Sequence, residues 1–130
     1  MNKVLDQMEL STIPAEWLES GDGETRSRVL YKSKDHLAWV VVWQCKAARF
    51  KWRYFKEEFA IFVDGEAFLT DPHGRQRHVE PGDFIYFHAN SEATWNVPKY
   101  IRKIAILRSP VSWPLAMVVR AWNRFCGGIR

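Results

Sequence analysis

Short apolar segments separated by turn residues recur along the middle of the chain. The segments lie at residues 29–31, 37–45, 59–63, 67–70, 84–87, 94–97 and 101–107. They are rich in β-branched and aromatic residues, which favour strands. Their recurrence every eight to twelve residues or so is typical of a sandwich or barrel, at roughly the usual strand spacing. No segment between residues 26 and 108 has the pattern of a helix, so we predict an all-β domain there.

Two turn signals subdivide this domain. Asp64-Gly65 is a favoured two-residue hairpin turn, and it predicts that residues 59–63 and 67–70 pair with each other. The next signal, Asp71-Pro72-His73-Gly74, places proline and glycine where β-turns prefer them. A second turn is therefore predicted directly after residues 67–70.

The N-terminal segment differs from the predicted domain. Residues 1–25 are mixed in character and contain Pro14 and the turn-like Gly21-Asp22-Gly23. Prolines and glycines of this kind interrupt regular structure. We expect an N-terminal arm with one short strand or turn, lying over the barrel.

A helical tail is predicted for residues 109–130. Pro114 suits the first turn of a helix, with Ser112 as its cap. The apolar positions share one helical face: Leu115, Val118, Val119, Trp122 and Phe125. We interpret this face as packing on the barrel or on a partner subunit. The alternative is a basic amphipathic helix, carrying Arg120 and Arg124, that rests on a membrane surface; we do not expect membrane contact.

Length, charge and cysteine content restrict the function classes. The 130 residues, 47% of them apolar, suit one globular domain. The formal charge of +4 comes from both signs interspersed, whereas a nucleic-acid site needs a concentrated basic stripe. No nucleic-acid partner is therefore expected. Two distant cysteines and the lack of an apolar leader predict a cytoplasmic protein.

Residues 45–65 resemble the first sequence motif of the cupin superfamily. That motif runs glycine, five residues, His-x-His, three or four residues, glutamate, six residues, glycine. With the four-residue spacer, Cys45 stands at the first glycine, and Lys51 and Arg53 stand at the two histidines. Glu58 then occupies the glutamate position and Gly65 the final glycine.

The second cupin motif is similar to residues 82–97. It runs glycine, five residues, Pro-x-Gly, two residues, histidine, three residues, asparagine. Gly82 opens it here, and the later positions are occupied by His88, Asn90, Ala93 and Val97. The third histidine of the superfamily is thus an alanine in this chain.

Two short sequence segments narrow the resemblance to one branch of the cupin superfamily. Thr94-Trp95 after the Pro81-Gly82-Asp83 turn, and Arg102-Lys103 at the next strand, look like the branch of ureidoglycine aminohydrolase-type and EutQ-type cupins. The resemblance implies an all-β, single-domain cupin fold, a double-stranded β-helix or jelly-roll barrel. To this the sequence pattern adds a C-terminal α-helix. The predicted divisions are an arm at 1–25, a barrel at 26–108 and a tail at 109–130.

The resemblance also implies that relatives hold a metal with two histidines, a glutamate and a third histidine. Lysine and arginine offer no free lone pair at neutral pH, and alanine offers no donor. Glu58 is therefore the one competent ligand among the four aligned positions. We predict no metal and no other cofactor. The alternative is a ligand set drawn from elsewhere in the barrel: Glu58, His78 and His88.

The predicted site is the barrel mouth around Glu58. Strand alternation places Lys51 and Arg53 on one face, and we expect both to point inward. Trp52 and Tyr54 then face the other way. Glu58 could neutralise one cation as a fixed ion pair. Alternatively, a net positive pocket would bind a carboxylate or phosphate, with Arg53 as a bidentate clamp.

The sequence also predicts roles for four other residues in or near the barrel. Trp95 should face inward, either as core or as an aromatic wall of the site. Tyr86 is a candidate proton donor, and His88 at the rim is a candidate acid or base. Cys45 is interpreted as a small buried hydrophobe. The predicted catalytic set is Lys51, Glu58 and His88, and the predicted binding set is Lys51, Arg53, Glu58, Tyr86 and Trp95.

Three functions remain open at this point. The first is a metal-independent cupin that binds a small anionic or polar molecule and could catalyse a lyase-like or isomerase-like reaction on it. The second is a non-catalytic binding or accessory module that forms a homodimer through the apolar segment 39–43. The third is a metal-dependent, aminohydrolase-like enzyme, against which the missing histidines argue.

Overall fold

Nine strands form one antiparallel sheet that closes around a core, and one helix follows. This is a computed structural model, and it describes residues 7–111 and 113–125. The elements are β1 (Glu9–Thr12), β2 (Leu18–Gly21), β3 (Glu24–Lys32), β4 (Ala38–Tyr54), β5 (Glu57–Gly65), β6 (Ala67–Thr70), β7 (Gln76–Val79), β8 (Phe84–Phe87), β9 (Ser91–Arg108) and α1 (Trp113–Phe125). The predicted all-β, single-domain fold with a C-terminal helix is confirmed.

Two long strands run through both halves of the barrel. β4 pairs with β9 along nearly its whole length, and the register shifts between Lys46 and Ala48. On one side of this shift the sheet continues to β3, β5 and β8, and on the other side it continues to β2, β6 and β7. A register shift of this kind bends the strand, which lets one pair of strands contribute to both walls.

The connection between β5 and β6 differs from the prediction. These two strands do not form a hairpin: β5 pairs with β8 and β9, and β6 pairs with β7 and β9. At Gly65 the chain passes from one half of the barrel to the other with a φ of 76°. The backbone N–H of Glu66 donates to the Tyr100 carbonyl at 3.0 Å. The predicted hairpin at Asp64-Gly65 is therefore wrong.

The turn that follows β6 is where the sequence places it. β6 and β7 form a hairpin, and the Gly74 N–H donates to the Asp71 carbonyl across the turn at 3.0 Å. The Asp71 carboxylate also accepts from the backbone N–H groups of His73 and Arg75, each at 2.9 Å. An aspartate that starts a turn commonly satisfies the backbone in this way.

The core lies between the two halves of the barrel and is dominated by aromatic side chains. Its largest fully buried members are Trp95, Phe50, Phe62, Ile101, Val79 and Val97. Trp95 faces inward, as strand alternation predicts, and its indole N–H donates to the hydroxyl of buried Tyr54 at 2.9 Å. A buried indole normally needs such an acceptor. This inward aromatic face becomes one wall of the site described below.

The N-terminal segment contributes two strands rather than one. β1 pairs with β3, and β2 pairs with the second half of β4. Trp17, just before β2, lies with its ring 5.1 Å from the ring of Trp52, measured between centroids. The arm is thus part of the sheet, and it places an aromatic residue near the opening of the barrel.

The helix α1 begins at Trp113, with Pro114 in its first turn as predicted. The proposed cap, Ser112, lies outside the described residues. Its apolar residues Leu115, Val118 and Trp122 are exposed, so the interpretation that the helix packs on its own barrel is wrong for this structure. In residues 7–111 and 113–125, no helix is both long and apolar enough to cross a bilayer.

Candidate functional site

Lys51 and Arg53 lie on the outside of the barrel. The Lys51 side chain is 54% exposed, and its Nζ atom is 4.0 Å from a Glu92 carboxylate oxygen. Arg53 is also exposed, with its guanidinium 6.0 Å from the centroid of the Phe55 ring. Residues Phe50, Trp52 and Tyr54 occupy the inward positions of this strand. The prediction that both cations point into the barrel mouth is therefore wrong.

A one-residue shift in the motif explains this difference. The cupin motif allows three or four residues before the glutamate, and the inward faces here correspond to three. Trp52 and Tyr54 then take the two histidine positions, and Glu58 remains at the glutamate position. Because side chains alternate along a strand, a shift of one residue exchanges its two faces.

Glu58 is buried and is paired with a cation that the sequence analysis did not assign. The Lys103 ammonium donates to a Glu58 carboxylate oxygen at 2.5 Å. Each of the two side chains is only 7% exposed. A buried charge is tolerated when it is paired and hydrogen-bonded, and here each member satisfies that need for the other. The predicted ion pair of Glu58 thus exists with a different partner.

Aromatic rings surround the Lys103 ammonium. Its Nζ atom lies 5.0 Å from the centroid of the Trp43 ring and 4.9 Å from that of the Trp95 ring. Trp43 is directly opposite Lys103 on the neighbouring strand, whereas Trp95 comes from the other half of the barrel. Cations within about 6 Å of an indole are attracted by its electron-rich face. The two tryptophans therefore stabilise the charge that Glu58 also balances.

A small cavity opens beside this ion pair. Its volume is about 100 Å³, and besides the aromatic rings its walls include Val41, Ala105 and Leu107. Ala105 pairs directly with Ala60 on β5, and both are buried. Two alanines at neighbouring inward positions leave room that larger side chains would fill, and the Lys103 side chain borders this space. The result is an apolar, aromatic chamber with one charged pair in its wall.

The inward residues do not fit a divalent metal. Trp52 has only an N–H donor, and burial raises the pKa of the Tyr54 hydroxyl well above its usual value. Tyr54 is therefore neutral at physiological pH and a poor ligand. One carboxylate oxygen of Glu58 already accepts from the Lys103 ammonium. A metal would have to displace that ammonium and would gain a single carboxylate in return.

The alternative ligand set of Glu58, His78 and His88 is not brought together. His78 lies on the outer surface of the β6–β7 hairpin, where its Nε2 atom is 2.7 Å from a Glu66 oxygen. Its Nδ1 atom is 3.5 Å from a Glu80 oxygen. His88 is exposed after β8, and Glu58 is buried inside. The three side chains therefore do not converge on one site.

Tyr86 and His88 line a separate groove of about 410 Å³ at the seam between the edge strands of the two barrel halves. The Tyr86 hydroxyl donates to a Glu57 oxygen at 2.6 Å, and Arg108 donates to the other oxygen at 2.9 Å. These bonds, that of Tyr86 first, lower the pKa of Glu57, and the bond to Glu57 raises the pKa of Tyr86. Tyr86 is thus held as a hydrogen-bond donor to Glu57 and does not face Glu58.

Tyr86→Phe should change how stability depends on pH. Because the Glu57 pKa is lowered in the folded chain, the stabilisation is complete above its unfolded pKa of about 4.3 and is lost as pH falls through the folded value. The variant removes the largest cause of this shift. Urea unfolding between about pH 5 and pH 3 should show a shallower loss of stability than the native chain. Tyr31→Phe, at an exposed position on β3, should leave the slope unchanged.

Cys45 is a buried thiol next to the bend in β4. Burial raises its pKa to about 12, so the thiol is protonated at physiological pH. A protonated thiol is a poor nucleophile. The interpretation of Cys45 as a small apolar residue of the core is consistent with this position.

Lys103 is the residue of this site that the sequence analysis missed. Its strand is apolar on both faces, so alternation alone does not say which way Lys103 points. The available signal was the Arg102-Lys103 pair, which contributed to the family resemblance but received no role. A lysine within an otherwise apolar strand is rarely buried without a partner, and in the structure that partner is Glu58.

Comparisons with known proteins agree with this architecture. The sequence pattern of the family described as EutQ-like cupin domain matches residues 33–105. No curated protein sequence matches the chain. The EutQ protein of Clostridium difficile is 20% identical, with a TM-score of 0.61, over 84% of this chain and 86% of that one.

Two further solved structures resemble the barrel. A Pseudomonas syringae protein of the DUF861 family is 16% identical, with a TM-score of 0.67, over 77% of this chain and 43% of that one. The polyketide cyclase RemF of Streptomyces resistomycificus is 13% identical, with a TM-score of 0.62, over 81% of this chain and 76% of that one. At these identities the similarity concerns the fold alone, which hosts many activities.

Proposed function

Because the chain belongs to the family of EutQ-like cupin domains, we propose that its barrel binds a small polar molecule at the Lys103–Glu58 ion pair without a metal. The observation that carries this proposal is a buried, hydrogen-bonded charge pair that borders an aromatic cavity. Ligand sites in proteins are typically apolar pockets with a few well-placed polar groups. Here Lys103 supplies a hydrogen-bond donor, and Glu58 supplies an acceptor.

The charge of the site favours a polar, uncharged ligand. Lys103 and Glu58 carry opposite charges, so their sum is zero, whereas an anion site needs a net positive pocket. The expectation of an anion depended on Lys51 and Arg53, which lie outside the barrel. A carbonyl or hydroxyl oxygen can accept from the ammonium, and a hydroxyl group can also donate to the carboxylate, without adding a buried charge. The same two groups could serve as an acid and a base in an isomerase-like or lyase-like reaction.

The cavity also restricts the size of the ligand. An apolar cavity of about 150 Å³ accommodates benzene, with its six carbons. By proportion, the 100 Å³ cavity accommodates about four non-hydrogen atoms, unless the ligand extends past the opening. Small carbonyl and hydroxy compounds are therefore the proposed class of ligand.

Replacing both members of the inner pair should abolish binding. We expect acetone and hydroxyacetone to change the intrinsic tryptophan fluorescence of the native chain in a saturable manner, because tryptophans line the cavity. The double variant Lys103→Met/Glu58→Leu should lose this response by at least about tenfold in affinity, since it removes the hydrogen-bonding groups.

The matched control changes an ion pair of the same composition on the outside of the barrel. Lys51→Met/Glu92→Leu removes the exposed pair whose atoms are 4.0 Å apart. Its titration should follow that of the native chain. If the outer variant rather than the inner one lost binding, the site would lie at Lys51, as the sequence motif first indicated. If no compound of the panel bound to the native chain, the proposal would fail.

We also propose that the outer face of β5, β8 and β9 associates with a second copy of the chain, as an accessory module would. On this face Ile61 lies between Phe84 and Ile104 of the neighbouring strands, and Ile106 lies beside Phe59. Ile61 is 42% exposed, although it is apolar. An apolar sheet face can pack against the same face of a second copy under two-fold symmetry, because sheets pack face to face.

Ile61→Asp should convert such a dimer to a monomer. A charge at the centre of an apolar interface would be buried without a partner. The association constant of the dimer should therefore fall several-fold to many-fold. Analytical ultracentrifugation of the native chain and the variant gives the comparison. Leu10→Asp, at an exposed site on β1 away from this face, is the control and should leave the dimer intact. A native chain that sediments as a monomer at all concentrations would exclude this second proposal.

A further inference from the structure

We propose that Lys103 forms an imine with small aldehydes that enter the aromatic cavity, with Glu58 as the group that transfers the protons. The inference rests on the proposed ligand site and assigns that site a substrate class and a covalent step. Lys103 lines the cavity, and its Nζ atom lies 5.0 and 4.9 Å from the ring centroids of Trp43 and Trp95, which line it too. Among the described residues, no side chain other than Glu58 is hydrogen-bonded to this nitrogen. Lysine amines form imines readily when an adjacent group removes their proton.

Glu58 is placed to remove that proton. Its carboxylate oxygen is 2.5 Å from the Lys103 nitrogen, and both side chains are shielded from water. The proton can therefore pass from nitrogen to oxygen without a water molecule between them, which leaves the nitrogen lone pair free to react.

Glu58 transfers each proton during the addition and the loss of water. The Lys103 nitrogen adds to the aldehyde carbon, the π bond of the carbonyl opens, and its oxygen takes the proton from Glu58. The new carbinolamine returns one nitrogen proton to Glu58. Glu58 then protonates the hydroxyl group, the C–O bond breaks, and water leaves. The net change converts an ammonium and an aldehyde into a protonated imine and water, and the Glu58 carboxylate is restored.

The site suits the product as well as it suits the free lysine. A protonated imine carries the same single positive charge as the ammonium, so the attraction to the faces of Trp43 and Trp95 is retained. The Glu58 carboxylate still balances that charge. A ketone carries a second carbon substituent at the carbonyl carbon, which hinders attack by the Lys103 nitrogen, so aldehydes are the proposed substrate class.

Reductive trapping of the native chain tests this inference. We expect propanal with sodium cyanoborohydride at neutral pH to attach a propyl group to Lys103 faster than to the exposed Lys46 and Lys51, by about tenfold or more, because Glu58 assists only at Lys103. Peptide mass mapping over a time course gives the rate at each lysine within one sample. No variant has to fold for this comparison.

Two variants then separate the roles of the residues. Glu58→Gln keeps the shape of the side chain but cannot accept the proton, and it should slow labelling of Lys103 by about 10- to 100-fold. Ala105→Val narrows the cavity and should slow labelling while it leaves Lys103 and Glu58 in place. In both variants the rate at the exposed Lys46 should stay unchanged, which controls for the reagent.

The outcomes distinguish this inference from the proposed function. Saturable acetone binding together with a Lys103 rate equal to that of Lys46 would overturn imine formation and leave the ligand site standing. Loss of both signals in the native chain would overturn both. Preferential labelling of Lys103 that 1-propanol suppresses in a concentration-dependent way would support both, because the alcohol occupies the cavity but cannot form an imine.

Discussion

Lys103→Met is expected to lower the free energy of unfolding by about 3–5 kcal/mol, the usual effect of removing one partner from a buried ion pair. The variant leaves the Glu58 carboxylate inside the barrel with no cation beside it. The attraction between the ammonium and the two tryptophan rings is lost as well. Urea denaturation at neutral pH, followed by circular dichroism, measures the change.

Two further variants test whether the loss of stability in Lys103→Met comes from an unpaired buried charge. Lys103→Met/Glu58→Leu removes both charges, and it should recover most of the loss, because a buried pair can often be replaced by apolar residues at little cost. Lys51→Met breaks an exposed pair and should change stability by less than about 1 kcal/mol. A single variant at Lys103 that was as stable as the native chain would mean that Glu58 is not buried as an unpaired charge, and the site would need a different description.

Gly65→Ala is the second substitution with a large expected effect, a loss on the order of 3 kcal/mol or more, since it combines overpacking with backbone strain. The φ of Gly65 is 76°, which favours glycine. An added Cβ would lie 2.7 Å from the Tyr100 carbonyl carbon and 3.0 Å from the Ile101 Cα, and it would be closer still to the Tyr100 oxygen. These are backbone atoms of β9, so they cannot rotate away.

Gly74→Ala provides the matched control for Gly65→Ala. Gly74 has a similar φ of 82°, but a Cβ there would meet no heavy atom within 4 Å. Only the backbone strain remains, so the expected loss is about 1 kcal/mol. Thermal and urea unfolding of the two variants should therefore separate the contact term from the conformational term. If both variants lost the same free energy of unfolding, the close approach to Tyr100 would make no contribution to stability.

The strand pattern predicted most of the fold because most strands of the barrel contain β-branched and aromatic residues. The turn at Asp71–Gly74 and the start of α1 near Pro114 also follow from local chemistry. Gly65 shows the limit of that reasoning. Asp64-Gly65 has the residues of a hairpin turn, yet β5 and β6 do not pair with each other. Both pair instead with β9, which is remote from them in sequence.

The candidate site was predicted less well, and the β4 strand shows why. The motif with a four-residue spacer assigned Lys51 and Arg53 to the interior, whereas simple alternation of polar and apolar residues assigns Phe50, Trp52 and Tyr54 there. The structure follows the alternation, because burying three aromatic side chains stabilises the fold more than burying two unpaired cations. Glu58 was identified correctly, since both spacers place it at the same position.

Lys103 could not have been placed by alternation. The strand around it reads Ile101, Arg102, Lys103, Ile104 and Ala105, in which both faces carry apolar residues and each carries one cation. The choice between Arg102 and Lys103 depends on what lies across the barrel. Glu58 and Trp43 contact Lys103 in three dimensions, and both are remote from it in sequence.

The pairing of β4 with β9 along most of their lengths has a consequence for synthesis. β4 has 17 residues and ends at position 54, but its partner begins only at position 91. During translation the ribosome must therefore release most of the domain before that ladder can form. Until then β3 can pair with one edge of residues 39–43, but the edge that pairs with β9 stays open. Slow elongation therefore favours capture by chaperones or intermolecular aggregation.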